Sequence, residues 1–353
     1  MARPDFVVIG AGPAGAAFAY EAARRGFSVS VYEQAPWPGF KACGWAVPQQ
    51  LERIMPIPRE VVLTEIRGFR VYLDGRLVHE KTGVKWGYII DKRAFLENML
   101  HESTLYTKKP VKLDARNLRV LGDVEHPTRS YVIAAGSSSL PQDERIYATQ
   151  MIIRSEAPVE EEVVEFWFDR SLVGYYWVFP RSGRVVDVGV GGIGSPKDFV
   201  EKLREFVKHR FGGDGYQPIE AIKGSWINIG GFDEKRFYSI PPVIGEAAGF
   251  VYPLTGEGIR PSIVSGIAAV RRAEGEPLPE VLTHTVRWIK AQKQILEAVR
   301  KASPETRAKI LARLPVDVFV GLGVGELSPL QLLRALPALP ASIASVLRNA
   351  LRK

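Results

Sequence analysis

Apolar and polar positions alternate in three different ways along this chain. Residues 5–9 form a nearly continuous apolar run, which predicts a buried parallel strand. A glycine-rich turn at 10–15 and an alanine-rich stretch at 16–25 follow, and the second predicts a helix that Gly26 can end. Residues 28–32 predict the next strand, with Glu33 at its end. This part of the chain therefore predicts a strand–helix–strand unit.

The middle and the end of the chain carry two further patterns. Alternation with many aromatic residues at 66–80, 163–169 and 174–191 predicts strands of an antiparallel sheet. Extended runs at 131–136 and 237–244 predict additional strands. Helical periodicity at 196–211, 260–272, 278–302 and 304–314 predicts helices. From Leu327 onward the chain has no acidic residue, which predicts helices that either pack on their own domain or lie on a membrane surface.

The glycine turn at 10–15 is typical of a dinucleotide-binding site. Gly10 permits a tight turn, Gly12 lets the backbone approach a pyrophosphate, and Gly15 lets the helix pack close to the strand. The helix start offers N–H groups to phosphates, and Glu33 can accept hydrogen bonds from ribose hydroxyls. We predict a nucleotide-binding segment made of residues Gly10, Ala11, Gly12, Pro13, Ala14, Gly15 and Glu33.

A second glycine-rich loop lies at 245–259. Glu246 stands in it, and Gly256, Gly258 and Ile259 precede a predicted helix. An acid here can bind hydroxyl groups, and the N–H groups of Gly258 and Ile259 can face a cofactor edge where negative charge develops. A connection that holds no ligand is the alternative.

Composition narrows the function classes. The chain has 353 residues, 46% hydrophobic and 24% charged, with a net charge of +8. One cysteine excludes an intramolecular disulfide, and the five histidines lack metal-ligand spacing. The sequence contains no zinc-finger or RNP-type pattern, so we do not expect it to bind nucleic acid. No apolar run reaches about 18 residues, and no signal peptide is evident, so we expect a cytoplasmic protein.

Four segments together resemble the geranylgeranyl reductase family of flavoproteins, within the p-hydroxybenzoate hydroxylase-like group. They are residues 10–15 with Glu33, the Lys-Ala-Cys-Gly sequence at 41–44, the Gly-Tyr-Tyr-Trp-Val-Phe-Pro sequence at 174–180, and residues 245–259. The third is similar to the YxWxFP signature of that family. The chain departs from the family pattern at Glu246, Tyr252 and Lys92, and it lacks an aspartate after Ala135.

The resemblance implies an α/β (α+β overall) fold with a Rossmann-type FAD-binding domain, an interleaved antiparallel-sheet substrate domain and C-terminal helices. The implied FAD-binding domain comprises residues 1–55, 88–150 and 233–274. The substrate domain comprises 56–87 and 151–232, and the helical region 275–353. FAD is the implied cofactor, and Ala42, Cys43, Gly44 and Lys92 join the residues expected to bind it.

The implied function is reduction of C=C bonds in geranylgeranyl or other isoprenoid chains of archaeal-type membrane lipids, with hydride from flavin N5. Tyr175, Trp177 and Phe179 alternate on one strand face and are expected to line an apolar substrate site; a purely structural core is the alternative. Cys43 and Tyr175 are the candidate catalytic residues that position or protonate the substrate. NAD(P)H or ferredoxin is the expected electron donor, and the basic C-terminal segment allows a peripheral membrane contact at the inner face of the cell membrane.

Two other functions stay open at this point. The segment at 174–180 also resembles the WxWxIP motif of flavin halogenases, so a monooxygenase or halogenase is one alternative. The departures at Glu246 and Tyr252 leave a non-catalytic, prenyl-lipid-binding flavoprotein as the other.

Overall fold

The computed structural model describes residues 3–114, 116–121, 130–137, 140–142 and 144–351. Its strands are β1 Phe6–Ile9, β2 Val29–Tyr32, β3 Ala46–Pro48, β4 Val62–Ile66, β5 Gly68–Leu73, β6 Arg76–Lys81, β7 Gly87–Ile90, β8 Thr104–Tyr106, β9 Lys112–Asp114, β10 Arg119–Leu121, β11 Ser130–Ile133, β12 Arg145–Ser155, β13 Val163–Phe168, β14 Gly174–Ser182, β15 Val185–Gly192, β16 Tyr216–Pro218 and β17 Lys223–Asn228.

The helices include ten α-helices in the described ranges. They are α1 Pro13–Arg24, α2 Lys92–Leu100, α3 Pro196–Phe211, α4 Glu234–Phe237, α5 Ile259–Ala273, α6 Glu280–Lys301, α7 Pro304–Arg313, α8 Val316–Gly323, α9 Pro329–Ala335 and α10 Ala341–Leu351. Short 3-10 helices lie at Gln49–Arg53, Arg59–Val61, Gly245–Ala248 and Leu336–Ala338. The predicted C-terminal helices are present, while Arg352 and Lys353 of the basic segment lie outside the described residues.

The chain folds into two compact units. The first, which we call the parallel-sheet unit, comprises Met1–Phe40, Lys92–Glu144 and Asn228–Lys293. The second, the mixed-sheet unit, comprises Lys41–Asp91, Arg145–Ile227 and Gln294–Lys353.

The parallel-sheet unit contains a four-stranded sheet in the order β11-β1-β2-β8, and all three pairings are parallel. Each residue of β1 is buried, as the apolar run predicted. Helix α5 packs tightly on α1, because a Cβ built on Gly266 would lie only 2.4 Å from the carbonyl oxygen of Ala14. The predicted Rossmann-type strand–turn–helix–strand unit is confirmed.

One predicted strand of this unit is wrong. Residues 237–244 do not form a strand; α4 ends at Phe237, a bend with a cis Ile240–Pro241 bond follows, and Val243 makes an isolated parallel bridge to Ile133. Pro241 and Pro242 lack the N–H groups that a strand needs for its ladder, so apolar composition alone is misleading here.

The mixed-sheet unit contains an eight-stranded sheet in the order β16-β12-β15-β14-β13-β5-β6, with β17 also paired to β12, and a three-stranded sheet in the order β3-β7-β4. The aromatic alternation predicted an antiparallel sheet. This prediction is wrong at one pairing, because β13 pairs with β5 in parallel. More than eighty residues separate these strands, including 92–144 of the other unit. Such a long crossover permits the parallel pairing that a hairpin excludes.

The two faces of the large sheet are covered by different helices. On one face, Val178 and Val188 pack with Phe199 and Leu203 of α3 in a buried core. On the other face, Trp177 and other aromatic residues pack with side chains of α7 and α8. Side chains of α7 and α8 therefore pack against part of the face that the sequence assigned to substrate.

Candidate functional site

The glycine turn of the parallel-sheet unit has the geometry of a nucleotide-binding loop. Gly10 has a φ of +107°, and a Cβ there would lie 2.3 Å from the carbonyl oxygen of Ala134. A Cβ on Gly15 would lie 2.0 Å from the carbonyl oxygen of Gly10, so α1 can approach the turn only with glycine at this position. Both glycines are therefore required by close backbone packing.

Gly12 differs from these two glycines. Within the described ranges, no atom lies within 4 Å of a Cβ built on Gly12, so the backbone at the start of α1 borders open space. Gly12 is also the N-cap of α1, and the first turn has neither a capping side chain nor an acidic residue among those described. The N–H groups and the positive end of the helix dipole are thus well placed for phosphate oxygens.

Glu33 is held beside this turn by two backbone N–H groups. Its Oε2 accepts from Ala11 N at 2.8 Å, and its Oε1 accepts from Ala35 N at 2.8 Å. An ionised carboxylate has about four acceptor sites, so each oxygen retains capacity for a ribose hydroxyl. The predicted acid therefore holds the glycine turn through these two hydrogen bonds.

The loop at 245–259 meets the same helix. Gly245 has a φ of +67°, and a Cβ there would lie 2.6 Å from the Cβ of Ala14 on α1. Glu246 accepts from Asn228 N at 2.9 Å through Oε1, while its carbonyl oxygen accepts from the Asn228 side chain at 3.0 Å. The structure thus brings Glu246 and the first glycine turn to one helix, and Asn228 is a supporting residue that the sequence analysis missed.

A buried polar group lies under the end of this loop. Glu257 accepts from Arg260 N at 2.8 Å, and its carboxylate faces the Arg260 guanidinium at 3.6 Å. The guanidinium stacks over the ring of the fully buried Tyr252 at 5.1 Å. Burial raises the pKa of the Glu257 carboxyl, against the opposing effect of Arg260. This group links the loop to the start of α5, where Gly256, Gly258 and Ile259 are located. Lys92, another predicted cofactor residue, is the first residue of α2.

The mixed-sheet unit holds the remaining candidate residues. Tyr175, Trp177 and Phe179 lie on one face of β14, with neighbouring ring centroids 6.2 Å apart. Trp177 and Phe179 are 8% exposed, whereas Tyr175 is only partly buried. Tyr176 lies on the opposite face and stacks on Phe206 of α3. The alternation read from the sequence therefore separates two aromatic environments on one strand.

Further aromatic residues extend this face beyond the predicted three. Phe166 and Phe168 of β13 lie with their ring centroids 5.8 Å from that of Tyr175. Phe319 of α8 contacts both, at 6.2 and 5.9 Å between centroids. Phe166, Phe168, Tyr175 and Phe319 are all partly buried. The alternation of β13 was a signal for the first two; nothing local in the sequence indicated Phe319.

The segment at 41–44 lies against the same face. A Cβ built on Gly44 would lie 2.8 Å from Cδ2 of Phe179 and 3.2 Å from Nε1 of Trp177. Cys43, a partly buried residue and the single cysteine of the sequence, precedes it directly. The structure therefore brings Gly44 together with two of the three predicted substrate residues.

These features define a dinucleotide-binding fold joined to an aromatic-faced sheet, an arrangement typical of oxidoreductases. Comparisons with known proteins agree. Residues 8–57 match a model of the NAD(P)-binding Rossmann-like domain, and residues 144–225 match a model of the geranylgeranyl reductase catalytic domain. The second match covers strands β12 to β16, including the aromatic strand β14.

Individual relatives support the same class. The digeranylgeranylglycerophospholipid reductase of Methanococcus aeolicus is 28% identical over 297 residues, 75% of each chain. A geranylgeranyl bacteriochlorophyll reductase-like protein from Thermoplasma acidophilum shares the fold with a TM-score of 0.74 at 21% identity, over 98% of both chains. The halogenase PltM, solved with FAD, shares it with a TM-score of 0.62 at 12% identity, over 98% of this chain and 86% of its own. The predicted resemblance to the geranylgeranyl reductase family of FAD-dependent oxidoreductases is confirmed.

Two further observations concern the described residues alone. None of their helices has the length and apolar character needed to span a bilayer. No three His, Cys, Asp or Glu side chains among them are grouped to hold a metal ion.

Proposed function

We propose that this protein is an FAD-dependent reductase that saturates C=C bonds in the geranylgeranyl chains of membrane lipid precursors. The observation that carries the proposal is the catalytic-domain match at 144–225, because it falls on the strands that present the aromatic face. The named activity of the relatives at 28% identity supports the same substrate class.

The parallel-sheet unit fits FAD. The open space at Gly12 and the uncapped start of α1, judged from the described residues, suit a pyrophosphate, and Glu33 suits a ribose. Glu246 would accept from ribityl hydroxyls, and the N–H groups at Gly258 and Ile259 would face the pyrimidine edge. When bound, FAD would supply the hydride that reduces the alkene. We assign cofactor binding chiefly to this unit, with Lys92 and residues 42–44 as further contacts.

The mixed-sheet unit would bind the isoprenoid. An isolated alkene offers no carbonyl or charge for recognition, so shape and exclusion of water must orient it. The partly buried rings around Tyr175 provide an apolar surface for such a chain. The phenol of Tyr175 on this face, and the thiol of Cys43 next to Gly44, are our candidates to hold a proton or transfer it to the second alkene carbon.

An anaerobic half-reaction tests this function. The purified protein would be loaded with FAD, reduced with dithionite and mixed with a geranylgeranyl glycerophospholipid. We expect reoxidation of the flavin and a product mass that rises by two hydrogens for each double bond. Flavin that stays reduced without oxygen, but turns over with oxygen to hydroxylate or halogenate a substrate, would replace the proposal with the monooxygenase or halogenase alternative. Flavin binding with neither reaction would support the non-catalytic alternative.

Two neighbouring tyrosines give a matched pair of variants for the same assay. Tyr175→Phe removes a hydroxyl from the proposed substrate face, and Tyr176→Phe removes one from the α3 face of the same strand. We expect slower flavin reoxidation in the first and an unchanged rate in the second. Equal rates in both would exclude the Tyr175 hydroxyl from the reaction and leave Cys43 as the candidate.

We also propose an electron donor for the flavin and a contact with the membrane. NAD(P)H or ferredoxin would reduce the flavin, and the steady-state rate with each donor in place of dithionite distinguishes them. The basic segment from Leu327 would bring the enzyme to the inner face of the membrane, which sedimentation with anionic vesicles tests.

A further inference from the structure

A fully buried aspartate lies in the middle of the apolar strand β15. Asp187 is 0% exposed and stands between Val186 and Val188, which face the α3 core. A buried carboxylate is unfavourable unless hydrogen bonds or counter-charges compensate for lost hydration. Apolar residues alone would pack this strand, so we looked for a function of Asp187 in the side chains that it contacts.

Three side chains from two neighbouring strands surround this carboxylate. Oδ1 accepts from Trp177 Nε1 at 3.0 Å, and Oδ2 accepts from Gln150 Nε2 at 3.2 Å. The Arg181 guanidinium donates to Oδ2 at 3.3 Å, so the charge is also partly compensated. Gln150 is 3% exposed and Trp177 is 8% exposed, so this network is shielded from water.

The same carboxylate limits the orientation of the Trp177 indole. A Cβ built on Gly189, two residues along β15, would lie 2.1 Å from Cζ2 of Trp177, so the ring lies flat across that glycine. With the ring in this position, its N–H points to Asp187. Rotation of the ring would lose a hydrogen bond to a charged acceptor, which is stronger than one to a neutral acceptor.

The indole in turn contacts the segment that carries Cys43. Nε1 of Trp177 lies 3.2 Å from a Cβ built on Gly44, which is closer than most real Cβ contacts, and Cδ2 of Phe179 lies at 2.8 Å from the same point. A change in the tilt of the ring would therefore alter the space available to residues 41–44.

From these contacts we infer that Asp187 is a positioning residue that acts through Trp177. It fixes the indole across Gly189, and the indole, together with Phe179, limits the space at Gly44 on the aromatic face, next to Cys43. The reductive role of that face rests on the proposed function, but the positioning itself does not.

The single cysteine makes a direct test possible. The rate of alkylation by iodoacetamide reports on Cys43 alone in the intact, FAD-loaded protein. Asp187→Leu removes both acceptor oxygens, and Trp177→Phe keeps a ring without its N–H. We expect each to raise the alkylation rate about fivefold or more, because loss of a charged hydrogen bond frees the segment. Asp187→Asn keeps an acceptor for the indole but turns its NH₂ group towards Gln150 and Arg181, so it should raise the rate less than Asp187→Leu does.

A double variant separates positioning from general destabilisation. If Asp187 acts through the indole, Asp187→Leu adds little once Trp177→Phe is present, whereas independent effects would multiply. Asp198→Asn, an exposed aspartate on α3, is the matched control and should leave the rate unchanged. Thermal unfolding of each variant shows that the folded protein is being measured.

Two results would overturn the inference. One is an alkylation rate that Asp187→Leu leaves unchanged, and the other is multiplication of the two single effects. If Asp187→Leu does not fold, Gly189→Ala displaces the ring, because the added Cβ would lie 2.1 Å from Cζ2 of Trp177. An unchanged rate in that variant counts equally against the inference. Because alkylation needs no turnover, a protein that reduces no prenyl lipid would refute the proposed function and leave this test intact.

Discussion

Replacement of Glu33 by glutamine tests how the glycine turn is held for its cofactor. The carboxylate accepts from Ala11 N and Ala35 N, both at 2.8 Å. Glutamine has one oxygen, so its NH₂ group must face one of these two N–H donors. Loss of a single hydrogen bond to a charged group costs about 1.5–3 kcal/mol. We expect the turn to relax in the free variant, so cofactor binding must order it again. The same free energy then corresponds to a roughly 10- to 150-fold weaker cofactor complex.

The assay is titration of the apoprotein with FAD, followed by flavin fluorescence quenching. Glu97→Gln is a suitable control, since Glu97 forms an exposed ion pair with Arg93 within α2, and such a pair is worth only about 0.3–0.5 kcal/mol. We expect Glu33→Arg to weaken binding further, because the cation can accept no hydrogen bond from either N–H or from ribose. An FAD affinity unchanged in both Glu33 variants would refute the assignment of this turn as the cofactor site.

Three other predictions concern the aromatic strand and the helix packing. Trp177→Ala should lower the rate of flavin reoxidation by prenyl lipid more than it lowers flavin content; equal losses would mark Trp177 as purely structural. Gly266→Ala should destabilise the protein by about 1–3 kcal/mol through overpacking, since its Cβ would meet Ala14 O at 2.4 Å and Phe18 N at 2.8 Å; an unchanged midpoint in denaturant unfolding would contradict the tight α1–α5 contact. Burial raises the pKa of Tyr176 to about 12, so unfolding, which returns the phenol to its ordinary pKa near 10, should become easier as the pH rises from about 10 to 12. Thermal unfolding across that range should show a smaller decline for Tyr176→Phe, and parallel declines would indicate that the phenol is accessible.

The N-terminal strand–turn–helix–strand unit could be predicted because most of its signals are local. Gly10, Gly12, Gly15 and Glu33 lie within one strand–helix–strand unit, and the contacts of Gly15 with Gly10 and of Glu33 with Ala11 are made inside it. The close approach of Ala134 to Gly10 comes from a distant segment and could not be read from the local pattern. The same is true of the alternation along β14, which separates Tyr175 from Tyr176 on opposite faces.

Prediction was weaker where partners come from distant parts of the chain. The parallel pairing of β13 with β5, the approach of Phe319 to Phe166, and the packing of Gly44 on Trp177 all depend on segments far apart in sequence. The strand expected at 237–244 was wrong because hydrophobicity outweighed the two prolines in the prediction.

The amino-acid sequence by itself determined the class of fold, the nucleotide-binding turn and the aromatic character of one sheet face, since these depend on short-range periodicity and backbone freedom. Only the tertiary structure decided why Asp187 can be buried. Gln150 of β12 and Trp177 and Arg181 of β14 donate hydrogen bonds to its carboxylate, and these replace the hydration that the carboxylate loses on folding. The role of a charged residue within an apolar run depends on the hydrogen-bond partners that folding brings to it.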